Sequence, residues 1–426
     1  MKFSNFWLDT VDSPFHAEAS ALPGRVDVAI IGGGFTGLSA GRILYNRGLN
    51  AAVLEAQTVG WGASSRNAGM VLTGLKLPMQ VVVNRYGRDL ARTFFQQSIE
   101  SIRTVEQIVR EEQIECGFSR AGHLLVANKP AHFRSLENEV DFMEKEFKHE
   151  VRLVSKKDLQ TEIASDRYFG ALVDGMSAGL NPAQFVAGLA RASRNSGASI
   201  HEHTRVTRIE RRNTKFFVET GRGTLIADSV LVGTSAYTGS ATRQLRNKII
   251  PIGSYIIATE KMPEELAKEI SPRNRMIFDY KHYLNYFRLW DNRLIFGGRA
   301  AFFPENEHTI GQSTKILRQE MFRIFPQLRE VAIEYAWGGT LDFAFDRMPH
   351  LGEIDGMYYT LGYAGHGVAM ATHLGKILAE SILSGNAKGH PFAQIPFPGA
   401  PLGMYNGIPW FLPLAGLWYK ILDWVE

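Results

Sequence analysis

Apolar positions along this chain follow two periods, and the switches between them divide it. Val26–Ile31 is a short, nearly continuous apolar run, the pattern of a parallel strand buried on both faces. Ala51–Leu54 is a second such run, and Ser229–Gly233 a third, leading into Thr234-Ser235-Ala236. Helical spacing connects the first two and stops at Arg47-Gly48, a cation followed by a capping glycine. It returns from Asp89 to about Gln113, over Ala131–Phe147, Ala183–Asn195 and Ser313–Phe325, and from Val368 to Ser384-Gly385. Asn181 is placed as an N-cap, with Pro182 at the first helical position and Gln184 closing a capping box. Strands are predicted at Ala121–Ala127, Ser199–Glu210, Lys215–Thr220, Ile249–Glu260, Tyr283–Leu289, Arg293–Gly298 and Ala332–Trp337.

The turn after the first strand carries chemistry. Gly32, Gly34 and Gly37 have G-x-G-x-x-G spacing around Phe35 and Thr36. Such glycines allow a tight turn, close backbone approach to a pyrophosphate, and close packing of helix on strand. Glu55 ends the second strand, where an acid hydrogen-bonds a ribose diol. The spacing alone is weak, but strand, helix, strand and terminal acid stand here in order. Gly62-Ala63-Ser64-Ser65-Arg66-Asn67-Ala68-Gly69 is too polar for core and too long for a simple turn; its small residues let backbone pass close to a flat ligand. Tyr358–Leu361 runs into Gly362-Tyr363-Ala364-Gly365-His366-Gly367-Val368, a second helix start suited to a partly anionic ligand.

Other motifs carry less. Gly175-Met176-Ser177-Ala178-Gly179 matches the nucleophile elbow, but the following helix begins too late to hold Ser177 on a strand-to-helix turn. His201 and His203 lack partners for a metal set, so no metal is expected. The single cysteine, Cys116, excludes an intramolecular disulfide and fits a reducing compartment.

The 426 residues are 45% hydrophobic and 21% charged, which suits a globular enzyme. A net charge of +4 points at most to an anionic ligand or surface. Arg205, Arg208, Arg211 and Arg212 cluster without interleaved aromatics, so a solvated face is favoured and no nucleic-acid partner is expected. The first 20 residues lack a continuous apolar core, and a cytoplasmic location is expected. From Ile408 to Val425 an aromatic, apolar face is broken by Lys420 and Asp423; docking on the body is preferred to peripheral membrane contact.

The three glycine motifs, with Asn181-Pro182 opening the helix before Val206, together resemble the D-amino-acid-oxidase-like family of FAD oxidoreductases across nearly the whole chain. Within that family the Arg66–Gly69 and Gly365–Gly367 motifs are most similar to the gamma-glutamylputrescine oxidases. The resemblance implies an α/β plus α+β fold: a discontinuous Rossmann-type FAD-binding domain and a second substrate domain built on a large mixed β-sheet. The expected segments are 1–85, 151–240 and 336–385 for the FAD domain, 86–150 and 241–335 for the substrate domain, and 386–426 for a tail. It assigns Gly32, Gly34, Phe35, Thr36 and Gly37 to the pyrophosphate, Glu55 to the ribose, and Gly62, Ala63, Ser64, Arg66, Asn67, Ala68 and Gly69 to the pyrophosphate and flavin. Val206 and Thr234 belong to the cofactor site, and Gly365, His366, Gly367 and Val368 to the flavin ring. FAD is expected without a covalent link, because Trp337 stands where sarcosine oxidases attach flavin through cysteine. His366, Tyr255, Tyr283 and Arg288 are the candidates for the substrate side, with Tyr286 as a further wall of the substrate cavity, and the sheet residues among them are equally open to plain packing.

The implied reaction is oxidation of a C–N bond in a small-molecule amine, with dioxygen or an electron carrier as acceptor and hydrolysis of the imine to a carbonyl product. Oxidation of a D-amino acid or N-methyl amino acid, and an RNA-modification oxidase, are the alternatives. Sarcosine-type members grip the substrate carboxylate with two cations; here those places hold Ala369 and the uncharged run Ala68–Leu72. An amine with no carboxylate beside the reacting nitrogen is therefore expected, its acidic far end met by Arg288 or Arg299.

Overall fold

The computed structural model describes residues 1–412 except 19, 282, 299–305, 401, 402 and 404; Arg299 and the tail beyond 412 lie outside the described residues. Two eight-stranded sheets organise the chain. In the first, the buried runs pair in parallel: Arg25–Ile31 lies between Ala51–Leu54 and Gly223–Val232, with Ser199–His201 and Met357–Leu361 outside them. His350–Ile354 closes one edge antiparallel, and Val206–Arg212 with Lys215–Thr220 extends Gly223–Val232 as a meander.

The expected strand Ser199–Glu210 is thus two strands. His203 adopts φ 53°, a left-handed turn that no strand continues through. The capping box is also corrected. Asn181 accepts from the Ala183 and Gln184 N–H groups, but the Gln184 amide donates to the Thr10 carbonyl at 2.9 Å instead of folding back.

The second sheet runs in the order Ile333–Ala344, Ile249–Thr259, Arg293–Gly298, Asn285–Trp290, Met276–Asp279, His123–Val126, Gly170–Asp174 and Arg152–Ser155. Two strands of segment 151–240 therefore belong to it, and the change of sheet falls after Asp174, not at 150. The strand from Ile333 likewise stays in this sheet to Ala344, past the boundary expected at 335. The long helix Arg88–Glu111 packs its Phe94, Ile99 and Ile102 into the core of the first sheet, although it was expected in the other domain. Its stripe is apolar at helical spacing, and Leu374 and Leu378 on the helix Gly367–Ser384 join the same core.

Phe411 and Leu412, at the start of the tail, pack with Ile252, Phe343 and Ala364, whereas Trp410 is exposed. Among the described residues no helix is long and apolar enough to cross a membrane, and no group of side chains could hold a metal ion.

A buried polar knot joins three elements behind the first sheet. The Gln97 carbonyl oxygen accepts from Nε2 of His373 at 3.1 Å and of His390 at 2.9 Å, and the Thr104 hydroxyl donates to His373 Nδ1 at 2.8 Å. Burial pulls the pKa of His373 down to about 3 and of His390 to about 4. Both rings stay neutral in the fold while the unfolded chain takes up protons from about pH 6.5 downward. Stability is full above that pH and falls as pH drops toward these folded values. Urea unfolding at pH 7 and about 4.5 is expected to show this loss, and a smaller one in His373→Gln.

Candidate active site

The first strand ends at Gly32, and the helix Phe35–Asn46 begins at the mouth of a cavity of about 350 Å³. The turn is closed to side chains: a Cβ on Gly32 would lie 2.9 Å from the Gly233 carbonyl oxygen, and one on Gly34 2.7 Å from Ser64 Oγ. A Cβ on Gly37 would run into the Gly32 carbonyl, so this glycine serves helix–strand packing and does not line the cavity. Glu55 spans the same turn. Its Oε2 accepts from the Gly33 N–H at 2.7 Å and its Oε1 from the Gln57 N–H at 2.8 Å. Burial raises its pKa, and those N–H groups counter it. One lone pair on each oxygen remains for a ligand.

The opposite wall comes from Gly62–Gly69, whose middle forms a short helix, Ala63–Arg66. Ser64 Oγ accepts from the Phe35 N–H at 3.0 Å and ties this wall to the glycine turn. Asn67 lines the cavity but spends its side chain on its own loop: its amide donates to the Ala63 and Ser64 carbonyls, and its oxygen accepts from the Gly69 N–H. Val206 and Thr234 line the far end, joined by Arg205. The near end is formed by Gly365, Gly367 and Val368, at the start of an 18-residue helix.

Sequence reasoning missed what holds these walls. The Trp7 indole donates to the Asn67 carbonyl at 2.8 Å, the Asn5 amide to the Ser65 carbonyl at 2.9 Å, and the Trp337 indole to the Arg66 carbonyl at 3.0 Å. The signal in the sequence was the lead-in aromatics Phe3, Phe6 and Trp7, expected to dock on the body; Phe6 and Trp7 are buried and Phe3 is exposed. Asp342 was missed too. Its carboxylate accepts from the Gly362 N–H at 2.7 Å and its carbonyl from the Ala364 N–H at 2.9 Å, which sets the turn where Ala364 has φ 51° and Gly365 φ 100°.

A second cavity, of about 160 Å³, adjoins the first and shares Ala63, Asn67, Leu341, Gly365 and Val368 with it. Arg66, Ala68 and His366 open here, not onto the first cavity where the resemblance put them. The Arg66 guanidinium donates to the Trp61 and Gly338 carbonyls and lies over the Trp61 ring. His366 Nδ1 is shut off from water with no hydrogen-bond partner, and burial, with the nearby Lys76 charge, lowers its pKa to about 3.

Of the four sheet residues expected as possible walls, Tyr286 lines this cavity and the other three fall elsewhere. Tyr255 alternates away from Ser254 into the core on the opposite face, beside Ile257 and Phe287. Tyr283 precedes its strand and lines neither cavity. Arg288 is 3% exposed; its guanidinium donates to the Gly69 and Leu180 carbonyls at 3.0 Å each and faces Trp290. Burial lowers its pKa only to about 10, so it remains charged. Tyr286 does line the second cavity, its hydroxyl paired with Ser254 Oγ at 2.8 Å, together with Lys76, which had carried no motif. Ser177 is buried in a network with Thr73 and His123, while the neighbouring Asp174 binds Thr73 and His149, so no triad forms.

Arg288 therefore pins backbone. Arg288→Met leaves the Leu180 carbonyl without its donor and the Gly69 carbonyl with the Leu180 N–H alone, and is expected to cost about 1.5–3 kcal/mol of stability in denaturant titration. A residue that grips substrate would instead raise KM with stability kept.

The cradle fits a dinucleotide, with glycines where side chains would collide, an acid at the second strand and a helix N-terminus at each end. The model of the FAD-dependent oxidoreductase (DAO) family matches residues 27–381. The chain is 32% identical over 401 residues to the gamma-glutamylputrescine oxidoreductase of Escherichia coli (strain K12), covering 93% of this chain and 92% of that one. It is 31% identical over 408 residues to a probable oxidoreductase, OrdL, of Rhizobium meliloti (strain 1021), covering 94% of each. Glycine oxidase from Geobacillus kaustophilus shares the fold, with a TM-score of 0.73 at 20% identity over 89% of this chain and 99% of that one. The chain belongs to the family of FAD-dependent oxidoreductases.

Proposed function

We propose that this enzyme oxidises the C–N bond of an amine with no carboxylate beside the reacting nitrogen, with dioxygen as acceptor and hydrolysis of the imine to a carbonyl and an amine. The observation that carries this reading is the junction of the two cavities at Gly365–Val368. There the smaller cavity sets apolar and uncharged side chains, Met70, Leu72, Leu341 and Tyr286, beside Arg66 and Lys76, and Arg288, expected to meet the acidic far end of the substrate, is committed to backbone. A carboxylate beside the reacting nitrogen would be desolvated against the apolar part of that wall at a cost of several kcal/mol, on the order given for unpaired buried charge. The gamma-glutamylputrescine oxidoreductase relative supports the same direction.

FAD, held without a covalent bond, would lie with its pyrophosphate at the Gly32–Thr36 turn, its ribose at Glu55 and its ring beside Gly365–Val368. The flavin supplies the acceptor for the hydride. The helix Gly367–Ser384 directs its N–H groups and positive dipole end at the adjoining ring site, where negative charge gathers on reduction. Thr36 donates to the Tyr363 hydroxyl at 2.8 Å, and Tyr363 in turn donates to the Thr360 carbonyl, so the two helix starts are held in one register. The apolar wall favours the uncharged amine, whose lone pair is then available as the C–H bond breaks.

Anaerobic stopped-flow reduction with sarcosine, glycine, D-alanine and a set of mono- and diamines tests the substrate class. Amines are expected to bleach the flavin fastest; faster reduction by any α-amino acid overturns it. Hydrogen peroxide release under air tests the acceptor. Glu55→Gln is expected to weaken FAD by about 1.5–3 kcal/mol and Glu55→Arg to leave almost no flavin after purification. Full occupancy in Glu55→Arg would remove the ribose role.

A further inference from the structure

Two large aromatic side chains meet at the mouth of the larger cavity. Among the described residues, Trp61 and Tyr237 are the only large hydrophobic side chains that are more than a third exposed, 39% and 38%, and also line either cavity. Each therefore has one side toward solvent and one toward the cofactor site. They come from different walls. Trp61 stands just before the small-residue loop, whose Ser64 holds the Phe35 N–H. Tyr237 ends the turn Ser235–Tyr237, shortly after Gly233, which lies against Gly32. The two rings meet edge to face, with centroids 5.6 Å apart and planes at 67°, an arrangement that aromatic pairs favour. Both positions are held from behind. The Arg66 guanidinium lies 4.8 Å from the centre of the Trp61 ring and donates to the Trp61 carbonyl at 2.8 Å. Under Tyr237 the turn is closed by its N–H on the Thr234 carbonyl at 2.9 Å and by the Thr234–Thr238 hydroxyl pair at 2.7 Å. Ser235 pays for that turn with φ 47°, a left-handed conformation that a serine seldom adopts. A Cβ on Gly62 would lie 2.7 Å from the Tyr237 ring, so the glycine beside Trp61 is what lets the tyrosine approach.

We infer that Trp61 and Tyr237 close over the pyrophosphate of bound FAD, and that the cofactor enters and leaves when this pair parts. The inference rests on the placement of the pyrophosphate at the Gly32–Thr36 turn given above. Both walls are tied to that turn, through Ser64 on one side and Gly233 on the other, so the pair belongs to the pyrophosphate and not to the ring site at Gly365–Val368. An aromatic cover there keeps water from the N–H groups of the turn, and their hydrogen bonds to an anion are stronger in the lower dielectric. A flavin without a covalent link depends on such closure for its residence. One edge-to-face contact is weak enough to open, and rings with a free outer side swing into solvent without unpacking the core.

The test measures FAD release on dilution of the holoenzyme and FAD uptake by the apoprotein, both by flavin fluorescence, in wild type, Tyr237→Ala, Tyr237→Phe and Trp61→Leu. In Tyr237→Ala and Trp61→Leu both rate constants are expected to rise, release by roughly tenfold or more, so that Kd changes less than release does. Tyr237→Phe keeps the ring and is expected to stay within about twofold of wild type. Release within about twofold of wild type in both ring-removing variants overturns the inference. So does faster release with uptake unchanged or slowed, which is the signature of a lost packing contact. The visible flavin band is expected to stay at its wild-type position in every variant, and a shifted band in Tyr237→Ala or Trp61→Leu overturns the assignment to the pyrophosphate. Should Tyr237→Ala fail to fold, Trp61→Leu decides by the same two rates from the other wall. Riboflavin, which lacks the pyrophosphate, separates the two levels of the argument: wild type that binds it as tightly as FAD overturns the placement of the pyrophosphate and the inference with it, whereas tight FAD binding with unaltered rates overturns the inference alone.

Discussion

Two helices must cross in close contact for their starts to line one cavity, and a steric constraint enforces it. The helices Phe35–Asn46 and Gly367–Ser384 lie some 330 residues apart in sequence and touch backbone to backbone: any side chain at Gly375 would strike the Thr36 carbonyl. Ser39 donates to the Thr372 carbonyl at 2.7 Å along the same seam. With the helices this close, their positive ends converge on one elongated cavity, and each stabilises partial negative charge where a single terminus would act alone. A methyl group in the seam would push the two helices apart at their crossing, behind the cavity that both line. Thr36 and Tyr363 fix what the glycine permits, because a shared hydroxyl pair is buried and has no water to exchange with.

The second sheet serves the site through backbone. Arg288, Trp337, Trp7 and Asn5 all donate to carbonyls of the loop Ser65–Gly69. A loop rich in small residues makes few side-chain contacts and would be entropically costly to hold. Donors on rigid elements supply that order from behind, leaving the front of the loop to the ligand. A charged guanidinium suits this duty, since one planar group satisfies two carbonyls from different segments, and its charge makes each hydrogen bond stronger than a neutral one. The same commitment empties the smaller cavity of its expected clamp and leaves the choice of substrate to the residues that do reach it.

The sequence by itself determined the local chemistry of the nucleotide unit. Gly34 and Gly37 are dictated by contacts within about thirty residues of chain, Gly32 by its own φ of 108° in the turn, and Glu55 caps a turn of that same unit. Strand and helix identities were legible for the same reason, because period and capping are local properties. The sequence did not determine which sheet face a residue joins. Tyr255 and Ser254 are neighbours, and only the stacking of the sheet against its helices sent one to the core and the other to the cavity. Arg288 carried a charge that read as a ligand clamp, yet the approach of Gly69 and Leu180 from distant segments made it a structural donor. Lys76 has no motif at all; it reaches the cavity because the buried Leu75 and Leu77 turn it there. Such placements depend on which surfaces meet, a property of the whole chain that is fixed only when the two sheets pack together.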